Sequence, residues 1–318
     1  MSRSAFWGPN KGAVPAKPSM MSGPLQALVL AGSTLLLFGC GGSNAATPTG
    51  AGNGSMSGRA VYGQMNGAAV KAFAINNGAA GAQLGTATTD AQGNFSVSIG
   101  NHSGPVMLQV SGGTYTDDAT GKSMTMQSGD VMTSIVPSVA TGSTTTGIQV
   151  TPLTSMAQAR AQNMAGGMTD ANITAANTAM ANYFSVGDVL HTSPMDPLSP
   201  GSGAAATQDA KNYGMTIAAM SQYAATLGMP HSSGMITAMM DDASDGVMNG
   251  MMGSTSISMS GMGGMMGGGM MQSNAGTSGM ASAMTAFIDD TAVNKSGVTA
   301  TDMQPLITKL NASNGTIQ

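Results

Sequence analysis

The chain contains no glutamate, and all 14 of its acidic residues are Asp. Every motif that requires Glu is therefore excluded, from the His-Glu-x-x-His zinc helix to the Glu-closed EF-hand. Charge of either sign is scarce, at 8% of 318 residues against about a quarter in ordinary soluble domains. With 10 Lys plus Arg, no basic run and a net charge of −4, nothing here can grip a phosphate backbone, so no nucleic-acid partner is expected. Aromatic residues make up 4%, and the one Trp is Trp7, which removes the stacking platform of many carbohydrate sites. Catalysis finds no support: His102, His191 and His231 are scattered, and Gly-x-Ser-x-Gly does not occur. No nucleophile and base can be paired, and the expectation is a protein that is not an enzyme; the alternative, an enzyme whose acids are Asp only, requires two Asp converging in a pocket. A single cysteine, Cys40, leaves no disulfide to staple the fold.

What is present begins with an address. Arg3, Lys11 and Lys17 are the only charges before position 59, and they precede an apolar run from Leu25 to Phe38 that ends at Gly39-Cys40. A basic segment, a 14-residue apolar stretch and a small residue form a signal-peptide pattern, too short for a permanent span of about 20 residues. Leu37-Phe38-Gly39-Cys40 resembles the lipobox of bacterial lipoproteins, although Phe38 is bulkier than the residue usual there. The resemblance implies cleavage before Cys40, lipid on its thiol and acylation of the new N-terminus. Two or more chains, each worth about 0.8 kcal/mol per buried CH2, make such anchoring stable. Gly41 and Gly42 follow with no Asp, which in that family implies the outer membrane rather than the inner. The expected partners are the membrane, through Cys40, and another envelope protein. From Cys40 onward, 7 cations face 14 Asp, a net charge of −7.

Residues 1–39 are thus read as leader and 40–56 as a Gly/Ser/Thr/Asn tether without charge. Between 57 and 137, short alternating runs separated by Gly, Asn and Asp predict strands at Arg59–Tyr62, Ala69–Ile75, Leu84–Thr89, Phe95–Ile99 and Val106–Val110. Asp90-Ala-Gln-Gly93-Asn94 supplies a tight turn. Gly67, Val70, Ala72 and Phe73, then Thr89, Asp90, Gly93, Asn94, Phe95 and Val97, form a pattern that resembles the carboxypeptidase regulatory-like domain over roughly 55 residues. That resemblance implies a transthyretin-like sandwich serving as an accessory, adhesive or spacer module.

The Thr-rich stretch 138–149 reads as a linker, after which the periodicity changes. Thr151 as cap and Pro152 in the first turn predict a helix start. Further helices are expected over 170–184, 208–227, 233–241, 279–289 and 301–310. The fold class expected is α+β: a small antiparallel β-sandwich, then an α-helical bundle over 150–318.

Methionine supplies the sharpest chemical expectation, because 17 of the 32 lie between Met215 and Met284. Met215, Met220, Met235 and Met239 fall on helical faces as flexible core fillers. The Gly-laden stretch 259–271 differs, since six Gly in positions 261–269 forbid a stable helix at about 1 kcal/mol each. It is expected to be an exposed or disordered loop. Its thioethers, Met259, Met262, Met265, Met266 and Met270, are soft ligands suited to Cu(I), so a copper-binding protein is the alternative to a structural or binding role. Asp241 and Asp245 stand before Gly246 as in a calcium loop, but Ala243 and Met252 occupy ligand positions, and a helix ending in an Asp-Gly turn explains them better.

Overall fold

A computed structural model describes residues 53–259 and 269–318. It is mixed α+β: nine strands precede six helices, with a two-stranded hairpin among the latter. Strands β1 (Gly54–Ala60), β4 (Asn94–Gly100) and β9 (Thr144–Val150) form a three-stranded sheet in the order β4-β1-β9. Strands β2 (Ala69–Asn76), β3 (Ala79–Thr88), β5 (Gly104–Ser111) and β8 (Val131–Val139) form a second sheet in the order β3-β2-β5-β8. A short hairpin, β6 (Thr114–Thr116) with β7 (Ser123–Thr125), links β5 to β8. Pairing is antiparallel except between β1 and β9.

Alternation decides which way each strand faces. Val70 and Ala72 of β2, Val106, Leu108 and Val110 of β5, and Met132 and Val136 of β8 enter the main core with Phe95, Val97 and Ile99 of β4. The intervening residues Ile75, Met107 and Ile135 emerge on the opposite face and pack with Ala161, Met168 and Ile173. Strands β5 and β8 are therefore covered on both sides, whereas the edge strand β3 is largely exposed. Helices α1 (Pro152–Asn163) and α2 (Asp170–Tyr183) supply the second cover.

The start of α1 is built as expected. Thr151 accepts from the backbone of Thr154, whose hydroxyl accepts from Thr151 N–H, with Pro152 in the first turn. The same end is pinned to β8, because Thr133 N–H donates to Ser155 Oγ at 2.8 Å and Thr154 Oγ1 donates to the Thr133 carbonyl at 2.7 Å. Helices α3 (Gln208–Thr226), α4 (Gly234–Ser244), α5 (Ser278–Asp289) and α6 (Ala300–Ala312) follow. Between α4 and α5 lies the hairpin β10 (Met251–Met252) with β11 (Thr255–Ser256). Met215, Met220, Met235 and Met239 are fully buried.

Two boundaries differ from those read in the sequence. Met56, placed at the end of the tether, is buried in β1, which begins at Gly54. Residues 144–150, placed in and beside a linker, are strand β9, held by β1 through a parallel pairing almost 90 positions away. Thr144–Thr146 carries no apolar signal, so its strand character comes from the partner's free edge and from Ile148 and Val150, which are fully buried. One contiguous apolar core then runs from Met56 through the helices to Ile317. Among the described residues no helix is long and apolar enough to cross a membrane.

Candidate functional site

Cys40 lies outside the described residues, as do Met262, Met265 and Met266. The flanks of the Met/Gly-rich stretch form a stem: Met259 N–H donates to the Gly269 carbonyl at 3.0 Å, Met271 N–H to Ile257 at 2.9 Å, and Ser258 opposes Met270. Neighbouring residues of such a stem face opposite ways. Met259 and Met271 accordingly enter the core, whereas Met270 is 58% exposed. The expected ligands Met259 and Met270 thus stand on opposite faces, and the sulfur of Met259 is occupied in packing.

The acidic turn after α4 is a cap. Asp242 is buried and accepts from Asn249 N–H at 2.8 Å and from Gly250 N–H at 2.6 Å. Asp245 accepts from Val247 and Gly253, and Gly246 takes a positive φ as the chain leaves the helix. Asp245 is spent on backbone donors, and so is Asp242 Oδ1, while Asp242 Oδ2 is buried without a partner among the described residues. The sequence candidate Asp241 is half-buried within α4, its backbone carbonyl accepting from Ser244 Oγ.

The histidines do not converge. His102 Nε2 lies 3.1 Å from the Pro105 carbonyl, and His191 pairs with Asp188 at 2.7 Å on the surface. His231 has a buried Nδ1 without a partner and lines a cleft with Asp130, Pro230 and Thr237. Asp130 there is already engaged by Ser233 Oγ at 2.7 Å and Thr237 Oγ1 at 3.1 Å.

A buried polar hub joins the β6–β7 hairpin to the segment before α4. Asp117 accepts from Thr120 N–H at 3.0 Å and from Ser232 Oγ; Tyr115 Oη stands 3.1 Å from Ser232 Oγ and accepts from Ser233 N–H at 3.1 Å. Tyr62 donates to the Ser232 carbonyl, its ring 5.2 Å from that of Tyr115. Burial pushes both phenols above their usual range, most strongly at Tyr62. The hub is satisfied internally, and its role is to position its neighbour.

That neighbour is Asp118. The hairpin turn that commits Asp117 to Ser232 aims Asp118 into a cleft of about 330 Å³ lined also by Gly63, Gln64, Thr116 and Asp196. Asp118 is 2% exposed, and its Oδ1 has no hydrogen-bond partner among the described residues. Burial raises its pKa well above the carboxylate range, and the charges of Asp196 and Asp117 add to the effect. Asp196 is held firmly: its Oδ1 accepts from Leu198 N–H at 3.0 Å and its Oδ2 from Gln64 Nε2 at 3.2 Å.

The loop carrying Asp196 is docked on α3, where Met195 N–H donates to the Ala210 carbonyl. Gly214 permits that approach, since a Cβ there would lie 2.1 Å from the Met195 carbonyl. Sequence reasoning missed this pair. Asp118 and Asp196 are 78 positions apart in two loops with no shared spacing, and their only local signal is the turn chemistry of Asp117-Asp118-Ala-Thr-Gly121 and Met195-Asp196-Pro197. Two facing acids of which one is desolvated can share a proton or hold a cation.

No family model matches the chain, and no curated protein matches it. Among solved structures, it has a likeness to a 9R-lipoxygenase from Cyanothece PCC8801, at 12% identity and a TM-score of 0.22. That alignment covers 64% of this chain and spans about a quarter, 26%, of the lipoxygenase.

Proposed function

We propose that this is an exported protein, lipid-anchored through Cys40 at the outer membrane, with a structural or binding role in the cell envelope. The observation that carries the reading is the position of the chain's one cysteine. Cys40 directly follows the apolar run that ends at Phe38-Gly39, and 13 residues separate it from the first strand at Gly54. Extended, those residues span at most about 45 Å, enough to hold the body off a bilayer surface. A structural use of several acids fits this reading, the facing pair Asp118 and Asp196 apart. Asp90, Asp117, Asp130, Asp242, Asp245 and Asp302 all accept hydrogen bonds from backbone or side-chain donors that shape turns and caps.

In this reading the two sheets are the halves of a regulatory-like sandwich, and the helices after Thr151 form the bundle. Inward alternation of Phe95, Val97 and Ile99 towards Val70, Val106 and Leu108 supports it. The test is acylation of Cys40: the wild type should take up labelled palmitate and partition with detergent, and Cys40→Ser should do neither. Equal membrane association of the two would remove the reading.

A second reading, copper binding by the Met-rich loop, is favoured by one observation. Of Met252 and Met270, the exposed large apolar side chains among the described residues, Met270 lies at the base of that loop and Met252 in the hairpin just before it. Because Met259 and Met271 are core residues, the informative variant replaces Met262, Met265, Met266 and Met270 with Leu and leaves the stem intact. Titration of Cu(I) against a competing chelator should show uptake that this variant loses, and equal uptake would end the copper reading.

A further inference from the structure

We infer that the cleft between Asp118 and Asp196 is a binding site for a hard divalent cation, calcium. Asp118 is 2% exposed and lines the cleft, and neither carboxylate oxygen has a hydrogen-bond partner among the described residues: Oδ1 is closed off, and Oδ2 is the oxygen that reaches the cleft. A nearly buried carboxylate without a protein donor is costly, whether charged or neutral, unless something in the cleft partners its accessible oxygen. The residues beside it are chosen for oxygen. Asp196 faces the same space, and Gln64, whose amide nitrogen is turned towards Asp196, leaves its carbonyl oxygen free.

No thiolate or imidazole lines this cleft or the pocket beside it that shares Gln64, Asp118 and Asp196; Met195 there is buried, and Arg59 donates to the Gln92 carbonyl. This leaves the oxygen set of calcium or magnesium rather than the donors preferred by copper or zinc. A bound cation displaces the proton that burial favours on Asp118, and the two carboxylates then balance one divalent charge. Among the described residues no three His, Cys or Asp side chains converge, so the remaining positions fall to the Gln64 carbonyl and to water. That is a sparse, weak site of the kind extracellular modules use, with Kd on the order of 10⁻⁴ to 10⁻³ M. Calcium is preferred over magnesium because it tolerates irregular geometry supplied by two independent loops, whereas magnesium demands a near-ideal octahedron.

The frame is rigid. Gly63 takes a φ of +63° with its Cα against the Thr116 carbonyl, where a Cβ would lie at 1.9 Å. Pro197, next to Asp196, accepts from Lys295 N–H at 2.9 Å. The site does not depend on the anchor at Cys40 or on the Met-rich loop.

The experiment is a calorimetric and thermal-shift titration of the full chain, stripped with chelator, using CaCl₂ and MgCl₂ separately. Saturable calcium binding in the millimolar range or tighter is expected, with a rise in Tm. Asp196→Asn and Asp118→Asn should weaken it at least tenfold, whereas Asp245→Asn, in the other acidic turn, should leave it unchanged. Because Asp118→Asn could disturb folding, Gln64→Leu provides a third arm, with weaker binding expected and an unchanged far-UV spectrum. No saturable response to calcium would overturn the assignment, as would wild-type affinity in Asp196→Asn, loss of binding in Asp245→Asn, or magnesium binding at least as tight as calcium.

Discussion

Tyr62, at the exit of β1, donates its phenolic hydrogen to the backbone carbonyl of Ser232, 2.8 Å away and 170 positions further along the chain. Both groups are buried, and the bond crosses from the strand-rich half to the helical half. Removing the donor leaves a buried carbonyl unmatched, at a cost of about 1–3 kcal/mol. Tyr62→Phe should lower stability by that amount while a single unfolding transition persists, because Met56 and Ile317 belong to one core. Calorimetry that resolved two independent transitions in the wild type would contradict this.

Gly63→Ala should destabilise by more than about 1 kcal/mol, since alanine is strained at positive φ. The clash with the Thr116 carbonyl adds to that cost. Gly67→Ala provides the control. It shares the positive φ, yet nothing lies within 4 Å of its Cβ position, so the backbone cost alone should appear. Denaturant midpoints for the two variants check this, and equal losses would show that the Thr116 contact is unimportant.

Burial raises Asp242 from the ordinary 3.8 to about 6. The folded state then holds this proton more tightly than the unfolded chain. Its contribution to stability is full below about pH 4 and is lost as pH rises through about 6. Asp242→Asn keeps the acceptor for Asn249 and Gly250 but no longer titrates. The Tm of the wild type minus that of the variant should therefore fall between pH 4 and pH 7. Asp90 and Asp302, whose pKa values are lowered by hydrogen bonds, act in the opposite direction but equally in both proteins. Parallel Tm curves for the two proteins would refute the shift.

Mild peroxide should separate the methionines by exposure. Met252 and Met270 are 48% and 58% exposed, whereas Met215, Met220 and Met284 are buried completely. Peptide mapping should find sulfoxide at the first two well before the last three. Early oxidation of Met220 would mean that α3 is not packed as described.

The turn at Asp90 shows how far local chemistry can be read. An Asp followed three positions later by Gly announces a tight reversal, and Asp90 does accept from Gln92 and Asn94 N–H while Gly93 takes a φ of +84°. The start of α1 at Thr151-Pro152 was legible for the same reason. Strand β9 was not, because Thr144-Thr-Thr-Gly-Ile is polar and its partner β1 is remote. The opposed fates of Met259 and Met270 were equally hidden, since they follow from a stem pairing that composition does not encode.

The sequence by itself determined what depends on neighbours in the chain: the periodicity of β2 and β4, the helix caps, the Asp-Gly turns, the apolar faces of α3 and α4, and the lone cysteine behind an apolar run. Tertiary structure alone decided what depends on distant partners. It placed β9 beside β1, joined strands and helices in one core, and brought Asp118 to Asp196. The physical reason is range. Backbone torsion and side-chain period act over a few residues, whereas desolvation of a carboxylate is set by whatever the fold packs around it. An unpaired oxygen on Asp118 exists only because Asp117 is tied to Ser232 and the Asp196 loop is docked on α3.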